Sequence, residues 1–205
     1  MIIPGMFQLG LTGSIAMGKS TTAQFFRDEG IPVWDADETV HRLYSTCETL
    51  IEKIRSISAG LIIGDKVDRA ALRQWIAGDA TALKALEDIV HPFVSRDRQE
   101  FVDACNQQGH ALIVLDVPLL FETNAQDQFD AVLVVTAPSI IQRERVLARS
   151  DMTADHLDTV LRNQMPDVEK RQRADFVIAT VSLAVARSNV QNLIVRLSQE
   201  ARDNA

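Results

Sequence analysis

The sequence predicts an α/β fold, a parallel β-sheet covered by helices, and three observations carry that prediction. Apolar, β-branched runs recur between helical patterns, namely "FQLGL", "IPVWD", "ALIVLD", "AVLVVT" and "DFVIA". Such alternation is the signature of strands buried on both faces and joined by crossover helices. The first run leads directly into "TGSIAMGKST", where Gly13, Gly18, Lys19 and Ser20 fit the spacing G-x-x-x-x-G-K-[ST] between a strand and a helix. Finally, 205 residues with 46% hydrophobic content and a mean hydropathy near zero suffice to bury a core, and the length permits one domain with insertions, the favoured reading, or two small domains.

Along the chain, Phe7, Leu9 and Leu11 form the strand before the loop, and "STTAQFFRDEG" reads as a helix closed by Gly30. The loop glycines let the backbone turn tightly, so that N–H groups over Gly13, Ser14, Ile15, Ala16, Met17, Gly18, Lys19, Ser20 and Thr21 are expected to face the phosphates of a nucleotide at the positive end of a helix. Lys19 is expected to reach the β- and γ-phosphates, and the Ser20 hydroxyl to hold Mg²⁺.

The second strand ends in "VWDAD". Residues two apart in an extended chain point the same way, so Asp35 and Asp37 are expected to face the phosphate site together. One would accept a proton from an attacking hydroxyl and the other orient metal-bound water. Either could instead cap the helix that begins near Glu38.

From Ala36 to His110 the chain is mostly helical in pattern, as in "DRAALRQWIAG" and "DATALKALEDIVHPFVSRDRQEFVDACNQQG". That is far longer than one crossover helix needs, and the excess reads as a helical insertion, about 38–108, that binds the acceptor substrate. Pro92 is expected to break a helix at His91, which is then either a solvent-facing boundary residue or a ligand contact. Next comes "ALIVLDVPLLFE". Its Asp116 has the strand-end acid of a Walker B element that holds Mg²⁺ through water, with a turn-forming role as the alternative. Pro118, Leu119 and Leu120 form a stiff apolar segment suited to a substrate wall or to the core. An arginine-rich stretch, about 143–173, places Arg145 and Arg149 four apart on one helix face. There they could close over a transferring phosphoryl group, or simply line a solvated face.

A formal net charge of −7 and a pI near 5.1 argue against nucleic-acid or anionic-membrane partners. Cys47 and Cys105 have no paired spacing, which points to a reducing compartment rather than to disulfides or zinc. The start "MIIPGMFQLG" lacks a basic leader region, and no apolar run reaches the ~18 residues of a membrane span. A cytoplasmic location is expected.

Taken in order, "GLTGSIAMGKST", "GIPVWDADETVHRLY", "VDRAALRQWI", "LEDIVHPFV", "LDVPLLFET", "QRERVLARSDMT" and "NQMPDVEKRQRADFVI" resemble the dephospho-CoA kinase family of P-loop kinases. The resemblance implies a P-loop NTPase three-layer α/β fold with a parallel sheet, a helical substrate-binding insertion and a lid, in a single kinase domain spanning 1–205. It implies ATP and dephospho-coenzyme A as substrates with Mg²⁺, and transfer to the ribose 3′-hydroxyl in the final step of coenzyme A biosynthesis. By the same resemblance Asp37 is the general base and Asp35 its neighbour in the acceptor site. His91 and the Pro118–Leu119–Leu120 segment belong to the coenzyme-binding region, Arg145 and Arg149 are lid arginines, and Gln164, Lys170 and Asp175 fall in a late motif. The chain departs from the family in a glycine-poorer loop, "SIAM". It departs again where Ala179 and Thr180 stand in place of a usual Asn, so that backbone recognition of adenine could replace a side-chain amide there. A nucleoside or nucleoside-monophosphate kinase would share the loop, sheet and arginine lid, whereas a GTPase switch would need an N-K-x-D motif that the sequence lacks.

Overall fold

In the computed structural model, which describes residues 6–79, 81–148 and 153–203, each of the five apolar runs forms a strand of one sheet. In chain order the elements are β1 (Phe7–Thr12), α1 (Lys19–Asp28), β2 (Val33–Asp35), α2 (Ala36–Thr46), α3 (Glu48–Ile57), β3 (Ile62–Ile63), β4 (Lys66–Val67), α4 (Arg69–Gly78), α5 (Ala82–Gln107), β5 (Leu112–Asp116), β6 (Ala131–Thr136), α6 (Ser139–Leu147), α7 (Ala154–Arg162), α8 (Asp167–Arg173), β7 (Phe176–Ala179) and α9 (Leu183–Asp203). They divide into two units, Asp35–Asp103 and the remainder of the chain.

The larger unit holds the sheet, in the order β2-β5-β1-β6-β7. β1 lies at the centre and pairs in parallel with β5 and β6, and β6 pairs in parallel with β7. Every residue of β5 is buried, as expected of a parallel strand covered on both faces. Leu9, Leu11, Val114, Leu133 and Val135 pack in one core with Phe26 of α1 and Val190 and Leu197 of α9. Two aspartates pin the strand starts. Asp130 accepts from Gln8 N at 2.7 Å while its own N–H donates to Gln8 O, and Asp175 makes the same pair of bonds with Val132. Asp175 of the late motif is thus a strand anchor.

The smaller unit has its own core, including Leu43, Leu50, Ile54, Leu61, Leu86 and Val90. It is helical except for an antiparallel hairpin, β3–β4, turning at Gly64 and Asp65. Gly64 has φ 60°, the left-handed conformation such a tight turn favours. Asp68 then caps α4 by accepting from Ala70 N at 2.8 Å.

Two sequence expectations are corrected here. α5 does not break at His91 but runs through Pro92 for 26 residues. Ile89, Val90, Phe93 and Val94 around the proline pack into the smaller core, and that burial outweighs one lost helical hydrogen bond. His91 and Pro92 are themselves exposed, so water can reach the helix on that side. The second correction concerns the carboxylates. Asp35 and Asp37 do not share an extended segment, because Asp35 is the N-cap of α2 and accepts from Glu38 N at 3.0 Å, while Asp37 already lies in the first helical turn.

Candidate active site

The site in the larger unit begins where β1 ends. Gly13 lies so close to β6 that a Cβ there would sit 2.6 Å from the Val135 side chain and 2.8 Å from its carbonyl oxygen. The loop that follows alternates into left-handed backbone at Ala16 (φ 59°) and Gly18 (φ 91°), the kind of turn that gathers N–H groups around an anion. Met17 N closes an inner turn on Ser14 O at 3.2 Å. Ser14 and Met17 are buried, Ile15, Ala16, Gly18 and Lys19 are half-buried, and Ser20 and Thr21 are exposed on the first turn of α1.

Side chains from other elements grip this loop along its backbone. Gln142 of α6 donates from Nε2 to Ile15 O at 2.9 Å, and Gln164 accepts from Ile15 N at Oε1 at 3.2 Å. Arg145, one turn after Gln142, reaches Ala16 O at 3.4 Å and Thr180 Oγ1 at 3.1 Å, and also donates to Thr180 O. The Thr180 hydroxyl donates to Met17 O at 2.7 Å. A Cβ on Gly18 would meet Thr180 Oγ1 at 2.9 Å, so the loop and the end of β7 pack in direct contact.

Lys19 is 15% exposed, and its Nζ lies 2.7 Å from Oδ1 of Asp116, which is wholly buried at the end of β5. A carboxylate there holds the ammonium at the base of the loop, where an incoming phosphate can share it. Pro118 is half-buried and Leu119 exposed, whereas Leu120 packs inward toward Gly10. Glu122 pairs at 2.8 Å with Nζ of Lys170, a lysine with no exposed surface, and the same oxygen accepts from Met165 N at 2.8 Å. The residue after Gln164 is therefore fixed by an ion pair whose lysine is wholly buried.

In the smaller unit Asp37 is exposed at the start of α2, and His91 is exposed on α5. Asp97 of α5 accepts from Thr39 Oγ1 at 3.2 Å and pairs with Arg42, securing α2 to α5. Arg149 lies outside the described residues. Among the described residues, no group of three or more His, Cys, Asp or Glu could hold a metal ion on its own. No helix among them is long and apolar enough to cross a membrane.

The loop, its lysine and the helix start were legible as motif. No motif gives Gln142 a role, and Thr180 reads in the sequence only as a departure from the family, although both touch the loop backbone. The signal available in the sequence was their placement, Gln142 three residues before Arg145 on one helix and Thr180 directly after a strand end.

The family model described as Dephospho-CoA kinase matches residues 7–184. A dephospho-CoA kinase of Cereibacter sphaeroides is 48% identical over 198 residues, covering 95% of this chain and 98% of that protein. Among solved structures, TT1252 from Thermus thermophilus is 32% identical with a TM-score of 0.82, covering 93% of this chain and 97% of its own. A dephospho-CoA kinase from Campylobacter jejuni is 27% identical with a TM-score of 0.71, covering 94% and 98%.

Proposed function

This chain belongs to the dephospho-CoA kinase family, and we propose that its loop, its strand-end acids and its two neighbouring carboxylates divide that family's reaction among them. The reaction transfers the γ-phosphoryl group of ATP to the ribose 3′-hydroxyl of dephospho-coenzyme A, giving coenzyme A and ADP as the last step of coenzyme A biosynthesis. The observation that carries the assignment of roles is the Lys19–Asp116 contact at the base of the loop. It keeps a cation beside a set of backbone donors, the arrangement a triphosphate needs.

In this reading the N–H groups along Gly13–Thr21, apart from those of Ile15 and Met17, which Gln164 and Ser14 already engage, hold the phosphates together with the Lys19 ammonium. Ser20 and Asp116 fit Mg²⁺, since a hydroxyl and a carboxylate are hard oxygen donors of the kind that ion takes together with water. When bound with ATP, Mg²⁺ neutralises charge on the β- and γ-phosphate oxygens. Asp37 orients the ribose hydroxyl and takes its proton. Asp35, which caps α2 with one oxygen, keeps its second for the acceptor side. His91, Pro118, Leu119 and Leu120 belong to the coenzyme-binding region. Arg149 and Arg145, the latter while also holding the Ala16 and Thr180 carbonyls, stabilise charge on the phosphoryl group from a lid, about 143–173. The helical segment at about 38–108 serves acceptor binding as an insertion within one kinase domain. The acidic chain, with a formal charge of −7, supports small-molecule partners rather than nucleic acid, and two free thiols accord with the cytoplasm.

The test is to supply ATP and Mg²⁺ with dephospho-coenzyme A, AMP, CMP and shikimate in parallel. Only dephospho-coenzyme A should consume ATP, with the new phosphate on the 3′-oxygen. Turnover of AMP or CMP instead would move the chain's chemistry to the nucleoside-monophosphate kinases.

A further inference from the structure

We propose that Gln142 and Gln164 are positioning residues that hold the backbone of Ile15 from its two polar ends, and that this grip sets the shape of the phosphate loop before nucleotide arrives. The inference rests on the reading of this loop as the ATP phosphate site.

The two contacts have opposite and fixed polarity. A carbonyl oxygen is answered only by a donor, so Gln142 presents Nε2 to Ile15 O at 2.9 Å; an N–H is answered only by an acceptor, so Gln164 presents Oε1 to Ile15 N at 3.2 Å. Ile15 thus has both backbone groups engaged by protein, and its N–H is withdrawn from phosphate binding. Arg145 and Thr180 continue the pattern on the next two carbonyls, those of Ala16 and Met17. In a planar trans peptide the carbonyl of one residue and the N–H of the next point in opposite directions. Drawing the carbonyls of Ile15 and Met17 toward these side chains therefore turns the N–H groups of Ala16 and Gly18 the other way, leaving them as the loop's donors for an anion.

Each glutamine is itself held. Gln142 is buried on α6. Gln164 is followed by Met165, whose N–H donates to the Glu122 oxygen paired with buried Lys170. The late motif thus anchors a side chain that reaches back to the start of the chain, 149 positions away.

The test exploits the opposite polarity. Gln→Glu keeps length and an acceptor but removes the donor, so it should be tolerated at one site and not at the other. Amide exchange over the loop is read in the nucleotide-free full chain for Gln164→Glu, Gln164→Met, Gln142→Glu and Gln142→Met, together with KM and kcat for ATP. Gln164→Glu should exchange within about twofold of the parent, while Gln164→Met and both Gln142 variants exchange on the order of tenfold faster, the effect of one lost hydrogen bond. In the loosened variants KM for ATP should rise by about fivefold or more, with KM for dephospho-coenzyme A unchanged. Equal behaviour of Gln164→Glu and Gln164→Met overturns the proposal, and that pair sits at a half-buried position, so it decides the matter even if Gln142→Glu does not fold. Loop exchange in Gln142→Met that matches the parent also overturns it. Because exchange is read without substrate, a parent enzyme that failed to phosphorylate dephospho-coenzyme A would count against the assigned function and not against this grip.

Discussion

At the scale of single residues, Lys19 has two tasks, and one substitution removes both. Its ammonium balances the buried Asp116 carboxylate at 2.7 Å and, in the proposed reaction, the charge on the β- and γ-phosphates. Lys19→Ala should lower turnover by about 10²- to 10³-fold, the scale of losing one preorganised charge contact. Near-ultraviolet circular dichroism should still report a folded protein, and near-normal turnover would remove Lys19 from the mechanism. Asp35 at the end of β2 and Asp37 in the first turn of α2 are distinguished by separate substitutions. Asp37→Asn keeps size but not basicity, so kcat should fall by about 10²-fold while KM for ATP moves by less than about threefold. Asp35→Asn retains a competent N-cap, whereas Asp35→Ala should cost about 1 kcal/mol in urea denaturation. The phosphate-loop residues are legible in the sequence because glycines, a lysine and a serine at that spacing between a strand and a helix are rare. Gln142 and Thr180 are not, because a glutamine on a helix and a threonine after a strand gain meaning only once folding brings them to the loop.

At the scale of elements, α5 and α8 carry opposite lessons. Pro92 inside α5 costs about 3 kcal/mol in helix propensity relative to Ala and returns about 1 kcal/mol by restricting the unfolded chain. Pro92→Ala should therefore raise the unfolding free energy by about 2 kcal/mol, read from the urea midpoint at constant slope. No gain would mean that the proline fits its surroundings without strain. α8 is short, and Lys170 fixes it to Glu122 with no exposed surface on the lysine. Glu122→Leu alone should cost about 3–5 kcal/mol by stranding a buried ammonium, while Glu122→Leu with Lys170→Met should recover most of that loss. A double variant no better than the single would show that the packing of α8, rather than its charge, carries the stability. The five strands of the main sheet were readable from their apolar runs. The β3–β4 hairpin was not, since strands of two residues leave no alternation to detect, and the α5 break was misread because local proline chemistry lost to burial on the same helix.

At the scale of the whole molecule, the two units differ in how far along the chain their partners lie. The core of Asp35–Asp103 is assembled from one continuous stretch, whereas β1 pairs with β5 and β6, whose first residues are Leu112 and Ala131. Contacts between residues distant in sequence form more slowly than local ones. Pulse-labelling hydrogen exchange during refolding should accordingly protect amides of α2, α3 and α5 before those of β1, and simultaneous protection would contradict this order. The same topology bears on how the protein is born. On a ribosome the central strand of the nucleotide-binding sheet emerges well before either of its partners and waits, apolar and unpaired, until roughly a hundred more residues have been added. Meanwhile the segment made in the interval already contains every residue of its own core. A strand made before its partners is thus among the last to be sheltered, and it is during that wait, more than in the finished enzyme, that Leu9 and Leu11 are available to chaperones and to aggregation.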